Sequence, residues 1–449
     1  MSAAPDKSTL PPGLNNAFLF AGFNALSFPI VVGSPMVLYA KTLGASATVL
    51  GLIVGMMPLL VIFQIPAARH LQRVGYKRFV YAGWGTRTVF IFGLGLVPAT
   101  GTFLDRPTQL ALVIALLFAF NLSRGISSAA WLPWISSLVP AEVRGWYLSR
   151  DAFAVNLASF VVILISAAVL GAEPGWWQFS MLFVFSACMG AASLVFLKRI
   201  PEVATAEETK ESSEPVPWKA IAAFPPFRKL MLLNIAWAVA YGGVGAFTVA
   251  WLKSEAGLGE GRVLLVTSAA FLGGLSSLWI LGARLDRLGS KPVLNASLLL
   301  WLVLAAGWLA LAGRLTPPNV PLLLVLQFFM GLCGSMFGMA NVRLAMAIIP
   351  AMGRSHFFAL FSVVASLTLG LAPVLWGLLI DALGGVRVTA AGVEWNRYSL
   401  FFAGVGVVSA VTLALAGRLD EPKAASIEAL LRDVLLEAPQ RLWVRFWPR

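Results

Sequence analysis

Charged residues are scarce in this sequence of 449 residues, because they make up 12% of the chain whereas hydrophobic residues make up 59%. A soluble domain cannot enclose so much apolar surface in its interior. Apolar runs of about 20 residues, which is the length that crosses a bilayer, recur along nearly the whole chain. The scarcity of charge therefore excludes a soluble globular protein and indicates a membrane protein whose function lies within a helix bundle.

Side chains that carry enzyme chemistry are also few. The chain has two histidines and two cysteines, Cys188 and Cys333, which both fall inside apolar runs. There we expect small buried hydrophobes rather than a disulfide or metal ligands. The sequence contains no nucleophile and base pair, no cluster with metal-ligand spacing and no phosphate loop. It therefore predicts no enzyme activity, no redox chemistry, no metal and no cofactor.

Acidic residues are missing from the middle of every apolar run. All 20 Asp and Glu lie in loops, in tails or at helix ends. Proton-driven transporters commonly place a carboxylate or a histidine within the bundle, and both histidines here lie at predicted inner ends. Asp151, beside Arg150, is the one acid near the expected cavity. We interpret these two residues as coupling candidates, with a surface ion pair as the alternative.

The apolar runs predict twelve spans. The first six lie near residues 16–40, 47–68, 79–100, 108–138, 149–171 and 175–198, and the second six near 229–252, 262–283, 292–313, 319–349, 356–383 and 398–418. A segment rich in Glu, Ser, Thr and Pro separates the two sets and is typical of a flexible linker. The predicted organisation is an N-terminal tail 1–15, a six-helix half 16–199, a linker 200–228, a second six-helix half 229–418 and a C-terminal tail 419–449.

The distribution of Lys and Arg predicts the orientation. These residues are more frequent in the loops on the side of both termini, so the positive-inside rule places both termini and the linker in the cytoplasm, as expected of an inner-membrane protein. The formal net charge is +13, which we interpret as a signal for anionic lipids of the inner leaflet, since no basic cluster is arranged for nucleic acid. The C-terminal segment RLWVRFWPR predicts an aromatic and basic anchor on the same leaflet. We expect a monomer.

The strongest motif is GARLDRLGSK, between the eighth and ninth spans. It resembles the loop signature of the major facilitator superfamily, Gly-x-x-x-Asp-Arg-x-Gly-x-Lys, which Gly282, Asp286, Arg287, Gly289 and Lys291 match. The resemblance implies an all-α membrane protein with twelve helices in two six-helix halves related by pseudo-two-fold symmetry. It also implies secondary transport by alternating access, in which the halves rock about a site near the midplane.

A degraded copy of this signature, AARHLQRVGYK, lies between the second and third spans. Arg73 and Gly75 align with Arg287 and Gly289 at one constant offset, which indicates an internal duplication. Gln72 stands where the signature has Asp. In the superfamily this acid is thought to rest against the start of the eleventh helix, where the helix dipole favours an anion.

The loss of that charge predicts a weakened latch for the outward-open state in the first half. Asp286 is expected to keep its partner at the start of the fifth helix. A tolerated loop variation is the alternative interpretation of Gln72.

In the fold that this resemblance implies, spans 1, 4, 7 and 10 line a central cavity. The substrate-binding candidates are the polar and aromatic residues of these spans: Asn24, Asn121, Arg124, Asn234, Trp237, Tyr241, Gln327 and Asn341. For each Asn or Gln, a hydrogen bond between helices is the alternative. Arg87, in the third span that is expected at the periphery, is interpreted as structural.

Arg124 is the leading candidate because it lies near the bilayer centre, where a charge is costly and faces a cavity or a partner. The segment NLSRGISSAA around it loosely resembles the fourth-helix arginine motif of the family, with Ser128 where that motif has Gly. An interior arginine pairing with a carbonyl or a neighbouring side chain is the alternative. Because no acid lies at comparable depth, we expect an anionic or carboxylate-bearing solute.

The function predicted from the sequence is secondary active or facilitative transport of a small molecule. One alternative is a protein of this superfamily that no longer transports and acts as a membrane assembly or pigment-delivery factor. A multidrug efflux carrier is another. The fifth span, AFAVNLASFVVILISAAVLG, has no proline and so lacks the Gly-Pro pattern of many drug/proton antiporters of the family.

Overall fold

A computed structural model of the chain describes residues 12–140, 144–202, 224–281, 288–348 and 354–419, together with residues 285, 421 and 428. Within these residues, twelve helices are long and apolar enough to cross a membrane, as predicted. They are α1 (Asn15–Thr42), α2 (Ala47–Ala68), α3 (Tyr76–Thr102), α4 (Arg106–Leu138), α5 (Arg144–Leu170), α6 (Trp176–Arg199), α7 (Pro225–Ser254), α8 (Glu260–Leu281), α9 (Ser290–Ala312), α10 (Val320–Ile348), α11 (Arg354–Ala382) and α12 (Arg397–Gly417). The predicted ends differ from the observed ends by a few residues. The shift is among the largest at α5, which begins before residue 149.

Helices α1 and α7 break at a glycine near their predicted outer ends. In α1, Gly33 has an extended backbone, and a new helical segment begins at Ser34. Pro29 inside α1 cannot donate a backbone hydrogen bond, which weakens the helix one turn before the break. In α7, the break lies at Gly243, whose φ of +83° is in the left-handed region that favours glycine.

The described residues pack into two compact units. The first unit comprises residues within Met1–Glu214, Gly242–Ser268 and Ser366–Gly384, and the second comprises residues within Pro215–Tyr241, Ala269–Ala365 and Gly385–Arg449. Each unit has a core of fully buried large side chains, among them Phe20, Trp134 and Tyr147 in the first and Phe227, Phe337 and Leu344 in the second.

Helix α2 packs closely on α11 within the first unit. A Cβ atom on Gly51 would lie 2.2 Å from the carbonyl oxygen of Pro373, and one on Gly55 would lie 2.2 Å from that of Gly370. Only glycine permits this backbone approach, which resembles the close contacts of small residues between membrane helices.

The same pair of helices is joined by a carboxylate. Asp381, at the end of α11, accepts hydrogen bonds from the backbone N–H groups of Ala47 at 2.9 Å and Thr48 at 2.8 Å. Its Oδ2 atom also accepts from the Thr48 hydroxyl at 2.6 Å. An anion at the N-terminus of α2 satisfies free N–H groups and interacts favourably with the helix dipole.

Other features differ from the expectations. Residues Arg387–Ala390 and Val393–Asn396 form an antiparallel hairpin between α11 and α12 that the apolar pattern does not predict. Cys333 is buried as expected, but Cys188 is exposed, so its prediction as a buried hydrophobe is wrong. Cys188 faces outward from α6, where a small apolar side chain contacts lipid equally well.

Candidate functional site

Arg124 lies near the middle of the 33-residue helix α4, within the first unit. Its guanidinium carbon is 5.3 Å from the centre of the Phe28 ring on α1, so the ring face contributes a cation–π interaction. The Nη1 atom is buried and has no hydrogen-bond partner. In the described part of the chain, no carboxylate forms an ion pair with Arg124. A donor of this kind is available to a ligand that brings an acceptor.

A second arginine, Arg87 of α3, is buried beside this position with 2% of its surface exposed. Its Nη2 atom donates a hydrogen bond to Oδ1 of Asn24. Its guanidinium carbon lies 4.5 Å from the Trp84 ring and 5.9 Å from the Phe120 ring. The Nε atom is buried without a partner. Because α3 was expected at the periphery, the sequence did not predict that the charge of Arg87 lies inside the bundle.

Asn121 lies one turn before Arg124 on α4 and is also buried. Its amide nitrogen donates to the Leu117 carbonyl at 2.9 Å within the helix. Its Oδ1 atom is buried and has no partner. The first unit therefore combines unsatisfied donors of two arginines with one unsatisfied amide oxygen.

In the second unit, Asn234 of α7 and Asn341 of α10 form a reciprocal amide pair. Nδ2 of Asn341 donates to Oδ1 of Asn234 at 2.7 Å, and Nδ2 of Asn234 donates to Oδ1 of Asn341 at 3.1 Å. Asn234 also donates to the Leu230 carbonyl at 2.8 Å. Both side chains are buried, so this pair joins two helices in the way that polar residues commonly do in membranes.

Aromatic rings lie next to the amide pair. Trp237 stacks on Phe337 with ring centres 3.9 Å apart and on Tyr241 with ring centres 5.2 Å apart. Trp301 of α9 contacts both Trp237 and Tyr241, and its Nε1 atom is buried without a partner. Tyr241 keeps 41% of its surface exposed. Trp301 was not among the predicted site residues, because only spans 1, 4, 7 and 10 were expected to line the cavity.

The remaining substrate-binding candidate, Gln327 of α10, is buried, and its Nε2 atom has no partner. Among the coupling candidates, Asp151 has a buried Oδ1 atom without a partner. The guanidinium carbon of Arg150 lies 5.8 Å from the Phe18 ring. Arg150 thus lies toward the predicted inner end of α1, and within the described residues Asp151 forms no ion pair with Arg124 or Arg87.

The loop glycines of the two halves have the same conformation. Gly75 and Gly289 have φ values of +83° and +87° and immediately precede α3 and α9. Arg73 is exposed. The Gln72 side chain and the signature residues Gly282, Asp286 and Arg287 lie outside the described residues, so the proposed latch contacts stay predictions.

Lys291 takes part in a charged cluster of the second unit that the sequence did not indicate. Its Nζ atom donates to the carbonyls of Gly417 at 3.1 Å and Leu419 at 2.7 Å. The carboxylate of Glu421 accepts from the backbone N–H of Lys291 at 2.7 Å and pairs with Nη1 of Arg343 at 2.8 Å. A possible signal is that an acid follows both the sixth and the twelfth span, as Glu202 and Glu421 do.

Comparison with known proteins agrees with this architecture. The sequence profile of the Major Facilitator Superfamily matches residues 15–283 and 246–447. No curated protein sequence gives a significant match. A variant of the nucleoside transporter NupG has a similar structure, with a TM-score of 0.69 and 11% identity over 91% of this chain and 100% of that chain.

Two further transporters share the fold. A POT family transporter in complex with 5-aminolevulinic acid gives a TM-score of 0.68 at 12% identity, over 92% of this chain and 97% of that chain. The xylose transporter XylE from E. coli, in its inward open conformation, gives 0.67 at 14% identity, over 93% and 99% of the two chains. Identities this low establish the fold and leave the substrate open. Because the family profile spans nearly the whole chain and twelve helices can cross the membrane, this multi-pass membrane protein belongs to the Major Facilitator Superfamily.

Proposed function

We propose that the protein is a secondary transporter that carries a small anionic solute across the inner membrane by alternating access. The observation that carries this proposal is the unsatisfied donor of Arg124 in the middle of α4. A charge in a membrane helix is costly and is retained where it binds a ligand or pairs with another group. In the described residues no carboxylate pairs with it, so an anionic solute supplies the missing negative charge.

The roles of the neighbouring groups follow from their contacts. Arg124 binds the anionic group, and the free Oδ1 atom of Asn121 accepts a hydrogen bond from a donor of the solute. Asn24 orients Arg87. In the second unit, the ring of Tyr241 is exposed and the Nε2 atom of Gln327 has no partner, so these two groups are the candidates for binding within that unit.

The polar pair Asn234 and Asn341 has a different role in this proposal. Each amide is already bonded to the other, so replacing that bond with a solute contact would gain little. We assign the pair to the frame that holds α7 against α10, with Trp237 packed beside it.

Alternating access requires contacts that form in one state and break in another. We assign this role to the contact between the carboxylate of Asp381 and the start of α2. In the proposed orientation, with both termini in the cytoplasm, this contact lies at the outer end of the helices. Its three hydrogen bonds favour the state in which α2 and α11 are joined there.

A thermal-shift screen tests the proposed function. Purified protein is heated with single compounds from a panel of small metabolites sorted into anions, neutral molecules and cations. A ligand that binds the folded state raises its apparent stability, so we expect at least one anion to raise the melting temperature, and to do so less in Arg124→Gln. A panel in which only cations or neutral compounds stabilise the protein would contradict the proposal. Stabilisation by no compound at all would favour a non-transporting relative of the family.

A further inference from the structure

The buried Arg87 and the partly buried Arg124 of the first unit lie around the same aromatic rings. Arg87 is bonded to Asn24 of α1, and Arg124 lies over the ring of Phe28, which is one helical turn further along α1. The Phe120 ring lies between these contacts, because it is 5.9 Å from the guanidinium carbon of Arg87 and 6.4 Å from the Phe28 ring. Both guanidinium groups therefore border one cluster of aromatic rings, and like charges so placed in a surrounding of low dielectric constant repel each other.

The groups around this pair do not neutralise two positive charges. Asn24 offers a neutral amide oxygen, and Trp84, Phe120 and Phe28 offer ring faces. A ring face partly compensates a cation but carries no net charge. One nitrogen of each guanidinium group, Nε of Arg87 and Nη1 of Arg124, has no partner. Like charges inside a protein are unfavourable when no counter-ion is present. The presence of both arginines therefore indicates a functional role.

Asp151 of α5 does not supply the missing charge by direct contact. In the part of the chain that the structure describes, it forms no ion pair with Arg87 or Arg124. Its Oδ1 atom is buried without a partner. Neither guanidinium group therefore has a carboxylate partner among these residues.

We propose that Arg87 and Arg124 together select a solute that carries two negative charges, such as a dicarboxylate or a phosphate monoester. This inference rests on the proposed function and names the charge of its substrate. Arg124, which is only partly buried, binds the anion directly. Arg87 is a positioning residue, because its buried charge raises the positive potential at Arg124 and thereby favours a dianion over a monoanion.

The melting temperature of Arg87→Met distinguishes this role from a purely structural one. If Arg87 only held α3 to α1, replacing it with Met would remove stabilising contacts and lower the melting temperature. If its charge is uncompensated, Arg87→Met keeps the length of the side chain and removes the repulsion with Arg124. The ligand-free variant then melts at the same or a higher temperature, as when apolar residues replace buried charges in other proteins.

The experiment measures ligand-free melting temperatures and binding to matched probes. The probes are succinate with its monomethyl ester, and phenyl phosphate with phenyl methyl phosphate, so that each pair differs by one negative charge. The proteins are the full-length wild type, Arg87→Met, Arg87→Lys, Arg124→Gln and the control Arg78→Met, which removes an exposed arginine of the same helix as Arg87. Dissociation constants are measured by calorimetry or by the dependence of the melting temperature on probe concentration.

We expect at least one dianion to bind the wild type about tenfold more tightly than its monoanionic partner. Arg87→Met should lose this preference without losing stability, whereas Arg87→Lys and Arg78→Met should keep it. Equal binding of monoanion and dianion, no binding by any dianion, or a large fall in the melting temperature of Arg87→Met would overturn the inference. If monoanions bind and depend on Arg124, the proposed function stands and only the charge assignment fails. If no anion binding depends on Arg124, both fail.

Discussion

Two polar clusters, one in each unit, are satisfied in different ways, although Nε1 of Trp301 and Nε2 of Gln327 in the second unit also lack partners. In the second unit, Asn234 and Asn341 bond to each other through both amides. In the first unit, Arg87 has one neutral side-chain partner and Arg124 has an aromatic ring, and each keeps a nitrogen without a hydrogen bond. A polar pair that satisfies itself contributes to packing and needs no ligand. Charges that stay unsatisfied are the better indicators of a binding site.

The contrast is informative because the two halves of the sequence share a common pattern. Gly75 and Gly289 keep the same left-handed backbone before the third helix of each half. The loops thus retain the duplicated geometry, while the interior residues differ in charge. The following predictions, ordered from the largest expected effect to the smallest, test whether binding and packing are divided between the units in this way.

Removing the charge of Arg124 should have the largest effect on binding. We expect Arg124→Gln to weaken the affinity for the stabilising anion by about 100-fold, which corresponds to about 2.7 kcal/mol. Arg124→Lys keeps the charge and loses the planar fork, so its affinity should lie between those of the wild type and the Gln variant. The control is Arg106→Gln, at the exposed start of the same helix, which should bind normally. Wild-type affinity in Arg124→Gln would make this arginine structural.

Breaking the amide pair should affect stability more than binding. Asn341→Ala leaves the Asn234 amide buried without its partner, so we expect a loss of about 1–2 kcal/mol in the free energy of unfolding. The double variant with Leu at both positions should recover part of that loss, because it leaves no unsatisfied polar group. Denaturant titrations followed by circular dichroism give these values. Anion affinity that falls as far as in Arg124→Gln would place the pair in the binding site instead.

Neutralising Asp381 should loosen the joined ends of α2 and α11. Asp381→Asn keeps the size of the side chain but removes the charge that caps α2, and we expect a loss of about 1 kcal/mol in stability. Hydrogen exchange at the first amides of α2 should accelerate. The matched control is Asp105→Asn, since Asp105 precedes α4 and makes no capping hydrogen bond there. Unchanged exchange in Asp381→Asn would show that this contact does not hold the helices together.

Alanine at the two loop glycines should give small and equal effects. The left-handed backbone of Gly75 and Gly289 disfavours any residue with a Cβ atom, so each substitution should cost about 1 kcal/mol of stability. Gly85→Ala, inside α3 where a Cβ atom would meet no neighbour within 4 Å, should be neutral or slightly stabilising. A loss in only one of the two loop variants would contradict the shared geometry of the halves.

The sequence was informative wherever one local property decides the structure. Long apolar runs predicted the twelve helices, since a segment that crosses the bilayer must satisfy its backbone hydrogen bonds internally, as a helix does. The duplicated signature located Gly75 and Gly289 because a tight turn before a helix requires glycine there. The depth of Arg124 followed from its distance to the ends of an apolar run.

Contacts between distant segments were not predictable in this way. Asp381 contacts the start of α2, and Glu421 contacts the start of α9. Both acids lie at or just after the end of a helix, where the sequence alone does not distinguish them from ordinary charged loop residues. Arg87 was assigned to the periphery because helical periodicity does not say which face of α3 meets α1 and α4. The breaks in α1 and α7 depend on packing around Gly33 and Gly243 as much as on these glycines themselves.

Charge movement shows whether the protein carries an anion through a site that contains Arg124. Purified protein is reconstituted into liposomes on a solid-supported membrane, and the current is recorded when a stabilising anion from the screen is added. We expect a transient current in the direction of negative charge entering the liposomes, and its loss in Arg124→Gln liposomes that contain equal amounts of folded protein. Currents of wild-type size in Arg124→Gln, or currents evoked only by cations, would show that the protein does not carry an anion through Arg124.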